Sequence, residues 1–342
     1  MLRRSGALIL LVLLSISGSA WAETIKVSIG QATSTLAFLP LYAARALDTF
    51  AAAGVELKFV QTPGGDPIAL AALDAGDIDF AAVGGETAIT AIGKGVPFQI
   101  VYALMSKLSA DLTVSGAFMT RAGVGPGDPL ARRLAALKGA TIGVSAVKGT
   151  QERVARLLVQ QAGLDPLRDI KIASIGAPPS LQAALANGTI DGFVLTAPEG
   201  LLAEANGGGK ILIRLGGEID GFRSLLYQAL VMRAPVDAAH AEAATRVAHA
   251  LVAASTAIEK DPDAVAGRIQ QAYFPKTAPE LMTAAVRELK DGVAEHGAVS
   301  AASIGRLIDF TQATAGKLDK PLDAAGGDGQ FWTNRFVQAA TQ

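Results

Sequence analysis

One phrase is written twice in this chain at a fixed spacing. "ALDAGDIDF" occupies residues 72–80 and "ALANGTIDG" residues 184–192, so Gly76 and Gly188, Ile78 and Ile190, and Asp79 and Asp191 are each 112 positions apart (188 − 76 = 112). Neither copy is low-complexity sequence, and a shared offset points to two copies of one structural unit. The chain must therefore build that unit twice, and its 342 residues exceed the ~250 at which a single hydrophobic core stops growing.

The unit is a strand–helix alternation. Residues 24–30, "TIKVSIG", alternate with β-branched side chains and predict a strand; a polar loop, "QATSTL", leads to a helical pattern over 36–53 that Gly54 closes. "VELKFV", "IDFAAV" and "PFQIVYAL" predict three further strands, separated by helices that end at Gly76 and near Gly95. The order repeats from "ATIGVS" (140–145) through "IKIASIG" and "IDGFVL" to "KILIRL". Alternation of this kind predicts parallel sheets with helices on both faces. Two strand-like segments, 112–121 and 226–233, have no helix partner and fit an extra antiparallel strand in each sheet. Beyond Arg233 the pattern is helical, and these helices are expected to pack on the first domain. The expectation is an α/β fold of two doubly wound domains with mainly parallel sheets and a cleft between them. Domain I comprises 23–106 and 224–342, and domain II comprises 107–223.

Residues 1–22 stand apart. Arg3 and Arg4 precede the apolar run "ALILLVLL", and Ala20 and Ala22 precede Glu23, the pattern of a cleaved secretory signal. The run is shorter than the ~20 residues a spanning helix needs. Export places the mature chain in the periplasm. It has no cysteine, hence no disulfide framework, no lipidated thiol and no thiol nucleophile. Loss of Arg3 and Arg4 takes the net charge from −1 to −3 (−1 − 2 = −3), and no basic stripe marks a nucleic-acid partner.

In open parallel sheets a ligand sits beyond the carboxyl ends of the strands, where loops enter helix N-termini. That rule selects Thr33, Ser34, Thr35, Leu36 and Phe38 after the first strand, and Gly85, Glu86 and Thr87 after the third. From the second domain it selects Ser145, Lys148, Gly149, Thr150, Thr196 and Glu199. Hydroxyls, glycines and free N–H groups at helix starts favour an anionic head group, sulfonate or carboxylate. Thr33 to Thr35 also suit simple N-capping. Lys148 is a candidate to pair with an anion or to remain solvated. Glu86 and Glu199 either favour their helix dipoles or attract an amine, and Phe38 covers a ligand or belongs to the core. The three histidines, His240, His249 and His296, fall in the C-terminal helical region. No general base, metal cluster or phosphate loop is therefore visible at the predicted cleft, and neither cofactor nor catalysis is expected.

The stretches "FLPLYAARALDTFAAAGVELKFV", "ALDAGDIDFAAVGG" with "AIGKGVPFQIV", "LKGATIGVSAVKGTQERVARLLVQQAGLDP" and "AALANGTIDGFVLTAPE" together resemble the type II periplasmic substrate-binding proteins of ATP-driven importers. Within them the chain is most similar to the family that binds sulfonates, nitrate and pyrimidine precursors of thiamine. The resemblance implies a monomeric carrier that closes on one small molecule, hinged near 106–111 and 221–225, and delivers it to a membrane permease. An organic anion is the leading ligand, an amine or pyrimidine-type thiamine precursor the alternative. Enzymes on the same fold are the alternative of another class; among them a porphyrin-pathway deaminase tethers its cofactor through cysteine and a fungal thiamine-pyrimidine synthase carries a cysteine-rich motif, whereas this chain has no cysteine.

Overall fold

The computed structural model describes residues 23–31 and 33–342; the signal reading of residues 1–22 lies outside them. The first half of the chain runs β1 (Ile25–Gln31), α1 (Leu39–Ala46), α2 (Thr49–Ala52), β2 (Val55–Gln61), α3 (Asp66–Ala75), β3 (Phe80–Gly84), α4 (Gly85–Gly93) and β4 (Phe98–Met105). It continues with β5 (Asp111–Val114), α5 (Gly116–Ala122), α6 (Leu130–Ala135), β6 (Thr141–Val144), α7 (Thr150–Gln161), β7 (Lys171–Ser174), α8 (Pro178–Ala186), β8 (Gly192–Leu195), α9 (Glu199–Ala205), β9 (Lys210–Arg214) and α10 (Leu215–Glu218). Then come β10 (Gln228–Arg233) and the helices α11 (Ala238–Lys260), α12 (Pro262–Tyr273), α13 (Pro279–Leu289), α14 (Ala301–Ala315) and α15 (Arg335–Ala340).

The strands form two five-stranded sheets, β2-β1-β3-β10-β4 and β7-β6-β8-β5-β9. Both have the same plan. The strand that has just crossed from the other half lies fourth in order and runs antiparallel to its neighbours: β10 in the first sheet, β5 in the second. The remaining pairings are parallel. β3, β4, β5 and β8 are buried along their whole length, as strands covered on both faces must be.

The repeated phrase explains why the two sheets match. Gly76 and Gly188 end their helices with φ of 82° and 76°, a left-handed turn that costs glycine nothing. The isoleucine two residues on then packs over a glycine of the neighbouring strand. A Cβ at Gly30 would lie 2.5 Å from Ile78 Cδ1, and one at Gly143 2.6 Å from Ile190 Cδ1. The following aspartate ties the strands together: Asp79 accepts from Ser28 N at 2.7 Å, and Asp191 from Thr141 N at 2.8 Å.

Two local expectations are corrected. The strand expected over 112–121 stops at Val114, because the Ser115 hydroxyl accepts from Phe118 N at 3.1 Å and starts α5. The single helix expected over 36–53 is a 3₁₀ turn (Leu36–Phe38) followed by α1 and α2, broken where Asp48 adopts φ 57°, a conformation its short polar side chain tolerates. The C-terminal helices do pack on the first sheet's layer. Thr49 Oγ1 donates to Ala250 O at 2.8 Å and Arg268 Nη2 to Ala46 O at 3.2 Å. Among the described residues no helix is long and apolar enough to cross a membrane.

The glycine–isoleucine contact is testable as a pair. Gly30→Ala is expected to cost about 1–3 kcal/mol by overpacking and Ile78→Val about 0.5–1.5 kcal/mol. Val lacks the clashing Cδ1, so the double variant should lose less than the sum of the two in denaturant titrations.

Candidate functional site

The carboxyl ends of β1, β2, β6 and β8 converge on a chamber of about 70 Å³ between the sheets, with the start of β10 as its floor. Thr33, Thr35 and Phe38 line it from the β1 loop, Asp66 from the start of α3, Ser145, Gly149 and Thr150 from the loop into α7, Thr196 from the end of β8, and Tyr227 and Gln228 from the entry to β10. An outer cleft of about 780 Å³ adjoins it and shares Thr33, Gly65, Ser145 and Ala146. Pro178, Pro179, Leu202 and Phe274 give that cleft apolar walls; Ser34, Gln182 and Glu199 give it polar ones.

Of the residues selected by sequence, the chamber brings together Thr33, Thr35, Phe38, Ser145, Gly149, Thr150 and Thr196, and the outer cleft Ser34 and Glu199. The other five line neither. Leu36 is fully buried in the core, and Gly85 is pressed against Leu226 O. Glu86 and Thr87 sit one layer behind the wall. Lys148 is exposed, at φ 64°, beside a separate groove with Lys94 and Lys317. Sequence reasoning passed over Asp66, Gln182, Tyr227 and Gln228. The signal for Asp66 was present: "TPGGDP" follows β2 and leads into the first turn of α3, so the carboxyl-end rule covers it as it covers the loops after β1 and β3.

Three carboxylates dominate the electrostatics. Asp66 Oδ2 accepts from Gly84 N at 3.0 Å and Thr87 Oγ1 at 3.3 Å. Loss of solvent, and next the neighbouring Glu86, push its pKa up to about 6. Glu86 is buried, which raises its pKa, while Arg153, Thr150 and Thr87 pull it back. Glu199 is raised by burial too, opposed by the 2.9 Å bond from Gln182 Nε2. In the chamber lining, Ser145 Oγ and Gln228 Oε1 have no hydrogen-bond partner among the described residues, and Thr196 Oγ1 shares a 3.1 Å bond with Tyr227 OH.

A sequence model of the NMT1-like family matches residues 21–272. The chain belongs to the NMT1-like family. Its fold is that of periplasmic binding proteins. A protein from Bordetella bronchiseptica RB50 is 22% identical with a TM-score of 0.75, over 92% of this chain and 96% of that one. The alkanesulfonate-binding protein SsuA from Xanthomonas axonopodis pv. citri, bound to MOPS, is 19% identical with a TM-score of 0.69, over 90% and 98%. The periplasmic nitrate-binding protein NrtA from Synechocystis PCC 6803 is 17% identical with a TM-score of 0.71, over 93% and 89%. No curated protein sequence matches the chain.

In this NMT1-like chain the helix starts around the cleft carry their own anions. Asp66, Glu86, Glu152 and Glu199 each occupy the first turn of α3, α4, α7 and α9, where a negative charge complements the helix dipole. Glu152 also takes the Lys148 N–H at 2.8 Å. Among the described residues no lysine or arginine lines the chamber or the outer cleft, and no cluster of metal-ligating side chains is present.

The raised pKa of Asp66 has a definite sign. The folded chain holds this proton to about pH 6 whereas an unfolded aspartate releases it near 3.9. Stability therefore falls as pH rises through that window. Asp66→Asn removes the buried charge and keeps an acceptor for Gly84 N. At pH 7.5 it is expected to stabilise the chain by about 1–3 kcal/mol, with the gain gone by pH 4 in thermal melts.

Proposed function

We propose that this chain is the extracytoplasmic solute-binding protein of an ATP-driven importer, and that it captures a small nitrogen compound presenting N–H donors. Residues 23–106 with 224–342 form one lobe and 107–223 the other. The solute sits between them and passes unchanged to a membrane permease. Family membership and the periplasmic-binding fold support the carrier reading, and the secretory pattern of residues 1–22 supports export. The protein acts as a monomer.

One observation carries the choice of solute: among the described residues the chamber offers a carboxylate, an unpartnered amide oxygen and an uncommitted serine hydroxyl, and no cation. Asp66 would repel a sulfonate or carboxylate, and the helix N-termini that might have held one are already neutralised by side chains. The organic anion expected from the hydroxyl-rich loops therefore yields to the alternative, an amine or a pyrimidine-type heterocycle. Asp66 takes a charged or polarised N–H, Gln228 Oε1 and Ser145 Oγ take others, and Phe38 packs against an apolar face. The chamber has room for a head group of a few heavy atoms, and the outer cleft, within the usual size of ligand sites, takes the remainder.

Calorimetric titration with a matched set of a primary amine, an aminopyrimidine and an alkanesulfonate tests this. The nitrogen compounds should bind and the sulfonate should not. Asp66→Asn should weaken binding about tenfold or more, because a hydrogen bond to a charged group is worth about 1.5–3 kcal/mol. Tight sulfonate binding that Asp66→Asn strengthens would restore the anion reading, and sustained conversion of a bound compound would replace the carrier with an enzyme.

A further inference from the structure

Glu86 forms no part of the chamber wall, yet it is bonded from the first sheet's layer to the second's. It lies in the first turn of α4, and its partners on the other side are Thr150 and Arg153 of α7. Thr150 Oγ1 donates to Glu86 Oε1 at 2.7 Å, and Arg153 Nε stands 3.0 Å from Oε2 as an ion pair without hydrogen-bond geometry. The two charged side chains are 2% and 15% exposed. Thr87 Oγ1 adds a 2.9 Å bond to the same Oε1 from within α4.

A second feature points to the same contact. A Cβ on Gly84 would lie 2.7 Å from Thr150 Oγ1 and 2.9 Å from Asp66 Oδ2. The backbone there has φ −59° and ψ 133°, which any residue adopts. Glycine is required by the joint approach of Thr150 from α7 and Asp66 from α3, and not by the turn. The first sheet is thus cut back at the point where the second sheet's helix delivers its hydroxyl.

We propose that Glu86, Thr150 and Arg153 form a latch that holds the two lobes closed without help from the solute, so that Glu86 and Arg153 position the lobes and do not contact the cargo. The inference rests on the two-lobe reading above. In the closed form both charges are desolvated and compensate each other; in an open form water solvates each. Removing one partner leaves an uncompensated buried charge in the closed form alone, whereas removing both leaves a neutral contact. The double variant should therefore open the lobes much less than either single variant.

The chain has no cysteine, so Lys58→Cys and Lys171→Cys, at exposed positions on the edge strands β2 and β7, give a unique pair of spin-label sites. The full chain is refolded from guanidinium and dialysed to remove small molecules, and the label distance distribution is measured by electron–electron resonance. In the parent background a single short distance should dominate. Arg153→Met should lower the short population relative to the long at least about tenfold, and Gly84→Ala, whose Cβ would crowd Thr150 Oγ1 at 2.7 Å while leaving both charges of the pair in place, should do the same. The double variant Glu86→Gln/Arg153→Met should recover most of the short population. A parent that is already open, an Arg153→Met distribution identical to the parent's, or a double variant as open as Arg153→Met would each overturn the latch. Circular dichroism confirms that each variant folds, and Gly84→Ala decides alone should the charge variants fail to. No solute enters the measurement, so its failure is distinct from failure of the solute assignment.

Discussion

Everything that lies at the cleft depends on where the central strands end, and that is set by one contact made twice. The Ile78–Asp79 step locks β3 beside β1, and Ile190–Asp191 locks β8 beside β6, by burying an isoleucine over a glycine and pairing a carboxylate with a strand N–H. A strand that slipped by one residue would turn every side chain to the opposite face. With the register held in both sheets, parallel strands finish level with one another. Their carboxyl ends, and the helix starts that follow, then face each other across a common gap.

A gap bounded by helix N-termini is electropositive by default. This chain reverses that default with acidic residues in the first turns of α3, α4, α7 and α9. Two of them serve opposite ends. Glu86 is paired with Arg153 and spends its charge on joining the layers, while Asp66 has hydrogen bonds but, among the described residues, no cation and stays the uncompensated group at the chamber. Their proximity raises the cost of ionising Asp66. Any solute that brings a positive charge or strong N–H donors to Asp66 relieves that cost, which an anion cannot do.

The fold was legible because its signals are local and repeated. The alternation of strands and helices, the glycine stops and the 112-residue offset all lie in contiguous sequence, and even the two antiparallel insertions, β5 and β10, are visible as strands without helix partners. The breaks at Asp48 and Ser115 were not, since both depend on single polar side chains choosing a local hydrogen bond or a left-handed turn over continuation. At the site, hydroxyls close in sequence to strand ends were found. Gln182, Tyr227 and Gln228 were not, because they reach the cleft through tertiary packing from segments that look like ordinary helix and strand. Glu86 was read as a cleft-lining carboxylate but lies behind the chamber wall, paired with Arg153, which is 67 positions away (153 − 86 = 67), and no spacing rule joins them.

The central claim is that the cleft takes a nitrogen compound through Asp66 and its neighbouring acceptors. Native mass spectrometry of the freshly purified, exported protein tests it most directly. The account predicts one low-mass adduct per chain, identified after release as a compound with a basic or amide-like nitrogen. Release of a sulfonate, a carboxylate or nitrate in that stoichiometry would contradict it.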